Sequence, residues 1–159
     1  MSAVKPREVD DVEQTVARYG RSVQSLAFMY LKNRHDAEDV AQEVFLTYWK
    51  SRITFSAEEK KRSWLMTVTA NRCRNLLQDW RRKSEALPED LSYLPPEESE
   101  LLQAVLELDE KYRLPIHLHY YEGYSIAEIA FLLRRPAATV GSQLARGREK
   151  LKKLYGEDE

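Results

Sequence analysis

Residues 125–148, SIAEIAFLLRRPAATVGSQLARGR, hold two apolar stripes separated by a break, and that pattern decides the class of the fold. Ser125 and Glu128 have the spacing of a capping box, in which each side chain satisfies the other residue's orphan amide, so a short helix begins here. Ile126, Ile129, Ala130 and Leu133 give it one apolar face. Arg134-Arg135-Pro136 ends that face, and Val140, Leu144 and Leu151 begin a second one. The outline is a helix-turn-helix. On the second helix Thr139, Ser142, Gln143, Arg146 and Arg148 are expected outside, polar and basic enough to enter a major groove. Any small α-hairpin shows the same periodicity, so both readings stand on pattern alone.

Working outward, Leu101, Leu102, Val105, Leu106 and Leu108 predict a preceding helix. Tyr112 to Tyr121 predict another, in which Pro115 is tolerable only within the first turn and which Gly123 ends. Toward the N-terminus, Val12, Val16, Tyr19, Val23, Leu26 and Tyr30 recur every three or four residues, the stripe of an amphipathic helix that Asp10 or Asp11 can cap. A second helix follows Asp36, burying Ala37, Val40, Ala41, Val44, Phe45 and Tyr48. Ser56 and Glu59 have capping-box spacing, so a third helix should run through Leu65, Val68, Leu76 and Trp80 to about Lys83, with Trp64 in the core. Pro88, Pro95, Pro96 and a surplus of acids mark a linker between the two groups of helices. The fold class is all-α: two small helical domains, 9–83 and 101–156, joined by an acidic linker over 84–100.

The composition agrees. The chain has 159 residues, with five glycines and six prolines, too few for a fold built on many tight turns, while charged residues at 32% suit solvated helix faces. One cysteine excludes an internal disulfide, the three histidines match no zinc-finger spacing, and no apolar run could cross a membrane, so the expectation is a soluble protein of the reducing cytoplasm. A formal net charge of -1 hides strong segregation. Residues 60–83 carry a net +7, residues 84–110 a net -9 without a single Lys or Arg, and residues 134–153 a net +6. Basic blocks of this kind suit phosphate contacts, although a pair of solvated helix faces would look the same.

Four segments in order carry a resemblance: Asp36-Ala-Glu-Asp-Val-Ala-Gln-Glu-Val-Phe45, Arg62-Ser-Trp-Leu-Met-Thr-Val-Thr-Ala-Asn71, Gly123-Tyr-Ser-Ile-Ala-Glu-Ile-Ala130 and Thr139-Val-Gly-Ser-Gln-Leu-Ala-Arg-Gly-Arg148. Together they resemble the extracytoplasmic-function sigma factors of the sigma-70 family, over nearly the whole chain. The resemblance implies a region 2 helical bundle that binds core RNA polymerase and melts promoter DNA, and a region 4 helix-turn-helix that reads the minus-thirty-five element. It places Asp39, Gln42 and Glu43 on the polymerase-binding face. Asn71 falls beside a pocket for a flipped base of the minus-ten element, with Phe55 in the loop that shapes it. Lys60, Lys61, Arg62, Arg72, Arg74, Arg81 and Arg82 would hold the DNA there, and Thr139, Ser142, Gln143, Arg146 and Arg148 would read the minus-thirty-five element. It also implies an anti-sigma partner and no direct membrane insertion.

The chain departs from the family's pattern at Gly141 and Gln143, where many members carry Lys or Arg, and each lost guanine contact would remove about 1–3 kcal/mol. Gly141 and Gly147 each lower helix propensity by about 1 kcal/mol. Asn75 and Gln78 replace a common Asp and Arg. No cofactor or metal is assigned: Asp36, Asp39 and Glu43 could hold Mg²⁺ with waters, but no second carboxylate helix or His partner supports them. No enzyme site is assigned either, since His117 and His119 point to different sides of a helix and Cys73 lacks a nearby His. The alternative is a stand-alone helix-turn-helix regulator, which leaves the N-terminal pattern unused.

Overall fold

The computed structural model describes residues 7–83 and 99–155, and these form two compact helical units. The first consists of α1 (Val9–Leu31), α2 (Arg34–Lys50) and α3 (Glu58–Arg82). The second consists of α4 (Ser99–Glu107), α5 (Glu110–Ile116) with a π-helical turn over His117–Tyr121, α6 (Ile126–Leu133) and α7 (Ala137–Tyr155). All regular helical structure among the described residues belongs to these elements. Most of the acidic linker lies outside the described residues; its last two positions, Ser99 and Glu100, already belong to α4.

In the first unit α1 packs on both α2 and α3, and Val23, Leu26, Phe28, Val40, Tyr48, Leu65 and Met66 are buried at their junction. The α1 stripe divides. Tyr19, Val23, Leu26 and Tyr30 enter the core, whereas Val16 is 41% exposed and faces an open groove against α2. The buried side of α3 is Leu65, Met66, Thr69, Ala70, Cys73 and Leu77, so the expected stripe through Val68, Leu76 and Trp80 is out of phase with the core after Leu65.

Two expected caps are corrected. The N-cap of α1 is Glu8, without a side-chain bond, because Asp11 turns inward to accept from the Tyr48 hydroxyl at 2.8 Å. The N-cap of α3 is Ala57 and the Ser56–Glu59 box does not form. Instead the Tyr19 hydroxyl donates to Glu58 in the first turn at 2.5 Å, which holds the Glu58 carboxyl below its ordinary range. On α2, Asn33 is the cap, accepting from the Asp36 amide at 2.9 Å, so the helix starts two residues before Asp36.

The second unit is organised by α7, which packs on α4, α5 and α6. Pro115 lies beyond the first turn of α5, contrary to expectation. Lacking an N–H, it strips the Lys111 carbonyl of its helical partner. Arg135, from the turn between α6 and α7, supplies the donor instead, Nη1 to the Lys111 oxygen at 3.1 Å. The buried guanidinium of Arg113 donates to the Leu108 carbonyl at 2.7 Å and closes the end of α4. Gly147 permits the crossing of α7 over α5: a Cβ there would stand 2.9 Å from Ile116 Cγ1.

Candidate nucleic-acid interface

The helix-turn-helix forms as its local chemistry requires. Ser125 Oγ accepts from the Glu128 amide at 3.1 Å, and the Glu128 carboxylate accepts from the Ser125 amide at 2.8 Å, completing the capping box. Arg134 ends α6 in the left-handed conformation, φ 59°, and Pro136 accepts the first bond of α7 through its carbonyl. Val140, Leu144 and Gly147 turn inward. At about 100° per residue, Thr139, Ser142, Gln143 and Arg146 then share one outward sector. Thr139, Ser142 and Arg146 are exposed and Gln143 is half-buried.

Arg148 does not join them. It lies on the opposite flank of the buried stripe, where its Nη1 donates to the Tyr120 hydroxyl at 2.8 Å. There it borders an apolar groove formed by Leu101, Val105, Tyr121, Leu151 and Tyr155. No periodicity argument pointed to this groove, because the π-helical turn that brings Tyr120 and Tyr121 outward has no simple sequence signature.

In the first unit Phe55 precedes α3 and packs in an aromatic cluster, its ring 6.5 Å from Tyr48 and 5.8 Å from Trp64. Trp64 is half-buried in this cluster rather than sealed in the core. Lys60, Trp64 and Asn71 follow one another along the same side of α3 at helical spacing. Asn71 accepts through Oδ1 from Arg74 at 2.5 Å, and Arg74 also donates to the Tyr30 hydroxyl at 3.0 Å. Phe55 thus packs on Trp64 and Arg74 bonds Asn71 along one side of α3, with Arg82 further along that side and bonded to Asp79. Arg81 is also exposed at this end.

Three of the expected basic contacts sit elsewhere. Lys61 is largely covered, 17% exposed, above the Tyr48 ring and within 4.0 Å of Asp11. Arg62 falls on the side of α3 nearer the core and is half-buried. Arg72 forms a forked ion pair with Glu43 of α2, its second bond, Nη2 to Oε2, measuring 3.3 Å. That carboxylate raises the Arg72 guanidinium above its ordinary range.

Asp39, Gln42 and Glu43 are all exposed on α2. His35 approaches Asp39 at 3.7 Å, and Glu43 is the member tied to Arg72. Burial and the neighbouring Asp39 carboxylate hold the Asp36 carboxyl above its ordinary range. Among the described residues no three His, Cys, Asp or Glu side chains converge as a metal site would require. Gln42 also borders the groove between α1 and α2, whose walls are Val12, Val16, Ala41, Phe45 and Leu46. The geometry thus offers an acidic and apolar face on α2, an aromatic and basic face on α3, and a polar face on α7. No helix among the described residues is long and apolar enough to cross a membrane.

Comparison with known proteins covers both units. The family model for Sigma-70 region 2 matches residues 15–83, and that for Sigma-70, region 4 matches residues 98–151. The ECF RNA polymerase sigma factor SigW of Bacillus subtilis is 30% identical across 94% of this chain and 91% of its own length. The RNA polymerase sigma factor CarQ of Myxococcus xanthus is likewise 30% identical, across 93% of this chain and 91% of its own. Among solved structures, the sigma factor RpoE in complex with the anti-sigma factor NepR from Bartonella quintana superimposes with a TM-score of 0.79 at 20% identity, covering 95% of this chain and all of that one. CnrH in complex with the cytosolic domain of CnrY gives a TM-score of 0.67 at 24% identity, covering 96% of this chain and 92% of that one. Both share the fold.

Proposed function

Because the chain belongs to the extracytoplasmic-function sigma factors of the sigma-70 family, we propose a division of its work among the three faces. As a sigma factor it binds core RNA polymerase, confers promoter specificity and assists DNA melting at initiation. Asp39, Gln42 and Glu43 on α2 dock on polymerase, where a polar ridge can meet a basic partner through charge-assisted hydrogen bonds. Phe55 and Asn71 receive a flipped base of the minus-ten element: an amide can read a base edge, and the aromatic cluster supports the unstacked strand. Lys60, Arg74, Arg81 and Arg82 hold the backbone of that strand. Thr139, Ser142, Gln143 and Arg146 read the minus-thirty-five element from the major groove. Residues 9–83 are the melting domain and 101–156 the duplex-reading domain.

The protein has no catalytic centre of its own in this reading and works in the cytoplasm, where polymerase and promoter meet. The structural relative RpoE was solved in complex with the anti-sigma factor NepR, and we extend that mode of control to this chain. The observation that carries the assignment is the presence, in one chain, of a helix-turn-helix opened by a capping box and an α2 ridge of exposed carboxylates beside the basic edge of α3.

Transcription in vitro with bacterial core polymerase on a pooled promoter library, with and without the protein, tests it. New transcript starts sharing two spaced elements are expected, while the free protein binds the same duplexes weakly because the melting domain needs separated strands. Tight, specific duplex binding by the free protein with no new starts would refute the assignment and favour the stand-alone regulator.

A further inference from the structure

We propose that Arg135 is a positioning residue for base reading: by holding the side-chain oxygen of Gln143, it leaves Gln143 to present its amino donor alone and so selects guanine at the base pair beneath Gln143. The inference rests on α7 being the helix that reads the minus-thirty-five element.

The arrangement begins at Pro115, whose missing N–H frees the Lys111 carbonyl. Arg135 Nη1 donates to that carbonyl at 3.1 Å and to Gln143 Oε1 at 2.8 Å, so one nitrogen ties α5 to the reading helix. The backbone beneath it is fixed as well, since the Arg135 amide donates to the Ala130 carbonyl at 3.0 Å, Arg134 is left-handed and Pro136 follows. A guanidinium has no acceptor, so the amide atom facing it must be the oxygen. The Gln143 amino group is therefore turned away from Arg135, in the sector shared with Ser142 and Arg146.

A glutamine free to turn suits adenine, accepting from N6 while donating to N7. Here the cation beside the oxygen opposes an incoming amino group. Guanine presents two acceptors, N7 and O6, in the major groove, whereas cytosine presents an amino donor and adenine a mixed edge. With its oxygen held, the Gln143 amino group fits an acceptor of the guanine edge.

The test uses the full chain with core polymerase on promoters whose minus-thirty-five element is randomised, the transcripts being sequenced for base preference at each position. The wild type is expected to favour guanine over adenine roughly tenfold at one position. Gln143→Ala should flatten that position alone. Arg135→Met should let adenine approach guanine there and leave the other positions unchanged. Gln143→Glu, which keeps the bond to Arg135 but has no donor, should shift the preference to cytosine. Pro115→Ala returns an N–H to the Lys111 carbonyl, so the double variant Pro115→Ala, Arg135→Met separates lost folding from lost reading. If Gln143→Ala flattens one position while both Arg135 variants keep its guanine preference, the positioning role is overturned. If Gln143→Ala changes no position, the assignment of Gln143 to base reading is itself overturned.

Discussion

Replacing Gly147 by alanine should destabilise the second unit, while the same replacement at Gly141 on the same helix should stabilise it. Helix propensity favours alanine at both positions by about 1 kcal/mol. At Gly141 an added Cβ meets nothing within 4 Å, so most of that gain should survive. At Gly147 the Cβ would stand 2.9 Å from Ile116 Cγ1, 3.2 Å from its Cδ1 and 3.5 Å from Tyr112 Cβ. Ile116 is 2% exposed and cannot swing into solvent. Overpacking of this kind costs about 1–3 kcal/mol, which exceeds the propensity gain. The two alanine variants should therefore differ by about 2 kcal/mol, with Gly147→Ala below wild type by about 1 kcal/mol. Amide hydrogen exchange over residues 110–155, followed by mass spectrometry, reads the stability of this unit separately from the first. A Gly147→Ala protein whose α5 and α7 amides are protected at least as strongly as in wild type would refute the close-approach argument.

Acid should weaken the same unit through His117. The side chain is 3% exposed, and burial lowers its pKa from 6.5 to about 4 despite the opposing pull of Glu122. Between those values the unfolded chain binds the proton and the folded one does not, so stability is intact above pH 6.5 and falls as pH drops toward 4, by about 3 kcal/mol in all. His117→Leu should remove this slope from exchange or circular-dichroism measurements at a series of pH values; an unchanged slope would exclude His117 as its source. Arg72→Ala should release Glu43 at a stability cost within about 1 kcal/mol, since both side chains are partly exposed. We expect tighter binding of labelled protein to core polymerase by fluorescence anisotropy. A fall in polymerase affinity would show that the pair, not the free carboxylate, is what polymerase meets.

Features written in neighbouring residues were legible from the sequence. The Ser125–Glu128 box, the break at Arg134-Arg135-Pro136 and the inward Val140 and Leu144 all depend on partners within a few positions. Features decided by distant partners were not. Ser56 and Glu59 had the right spacing, yet Tyr19 secures the start of α3 through Glu58. Pro115 escapes its positional rule because Arg135 repairs the carbonyl it orphans. Gly147 read as a propensity defect until Ile116 was placed against it. Among the site residues, Lys60 and Asn71 share one side of α3, as their helical spacing implies. Lys61 and Arg72 are drawn to acids on α1 and α2 that a count of positive charge does not register, and Arg148 lies on the other flank of α7 because the buried stripe separates it from Thr139.

Arg7, two residues before α1, is a brace. Arg7 Nε donates to the Tyr48 carbonyl at 2.9 Å, its Nη2 reaches Ser51 Oγ at 3.1 Å, and its amide donates to the Trp49 carbonyl at 2.9 Å. The Trp49 indole returns a bond to the Arg7 carbonyl at 3.0 Å, and the guanidinium lies 4.1 Å above the Tyr48 ring. Residues far apart in sequence thus close the end of α2 and fasten the turn that carries Phe55. A shortened chain beginning at Val9 would keep every helix of the first unit and still lose the buckle of its aromatic cluster, so for protein engineering the usable start of this domain lies before its first helix.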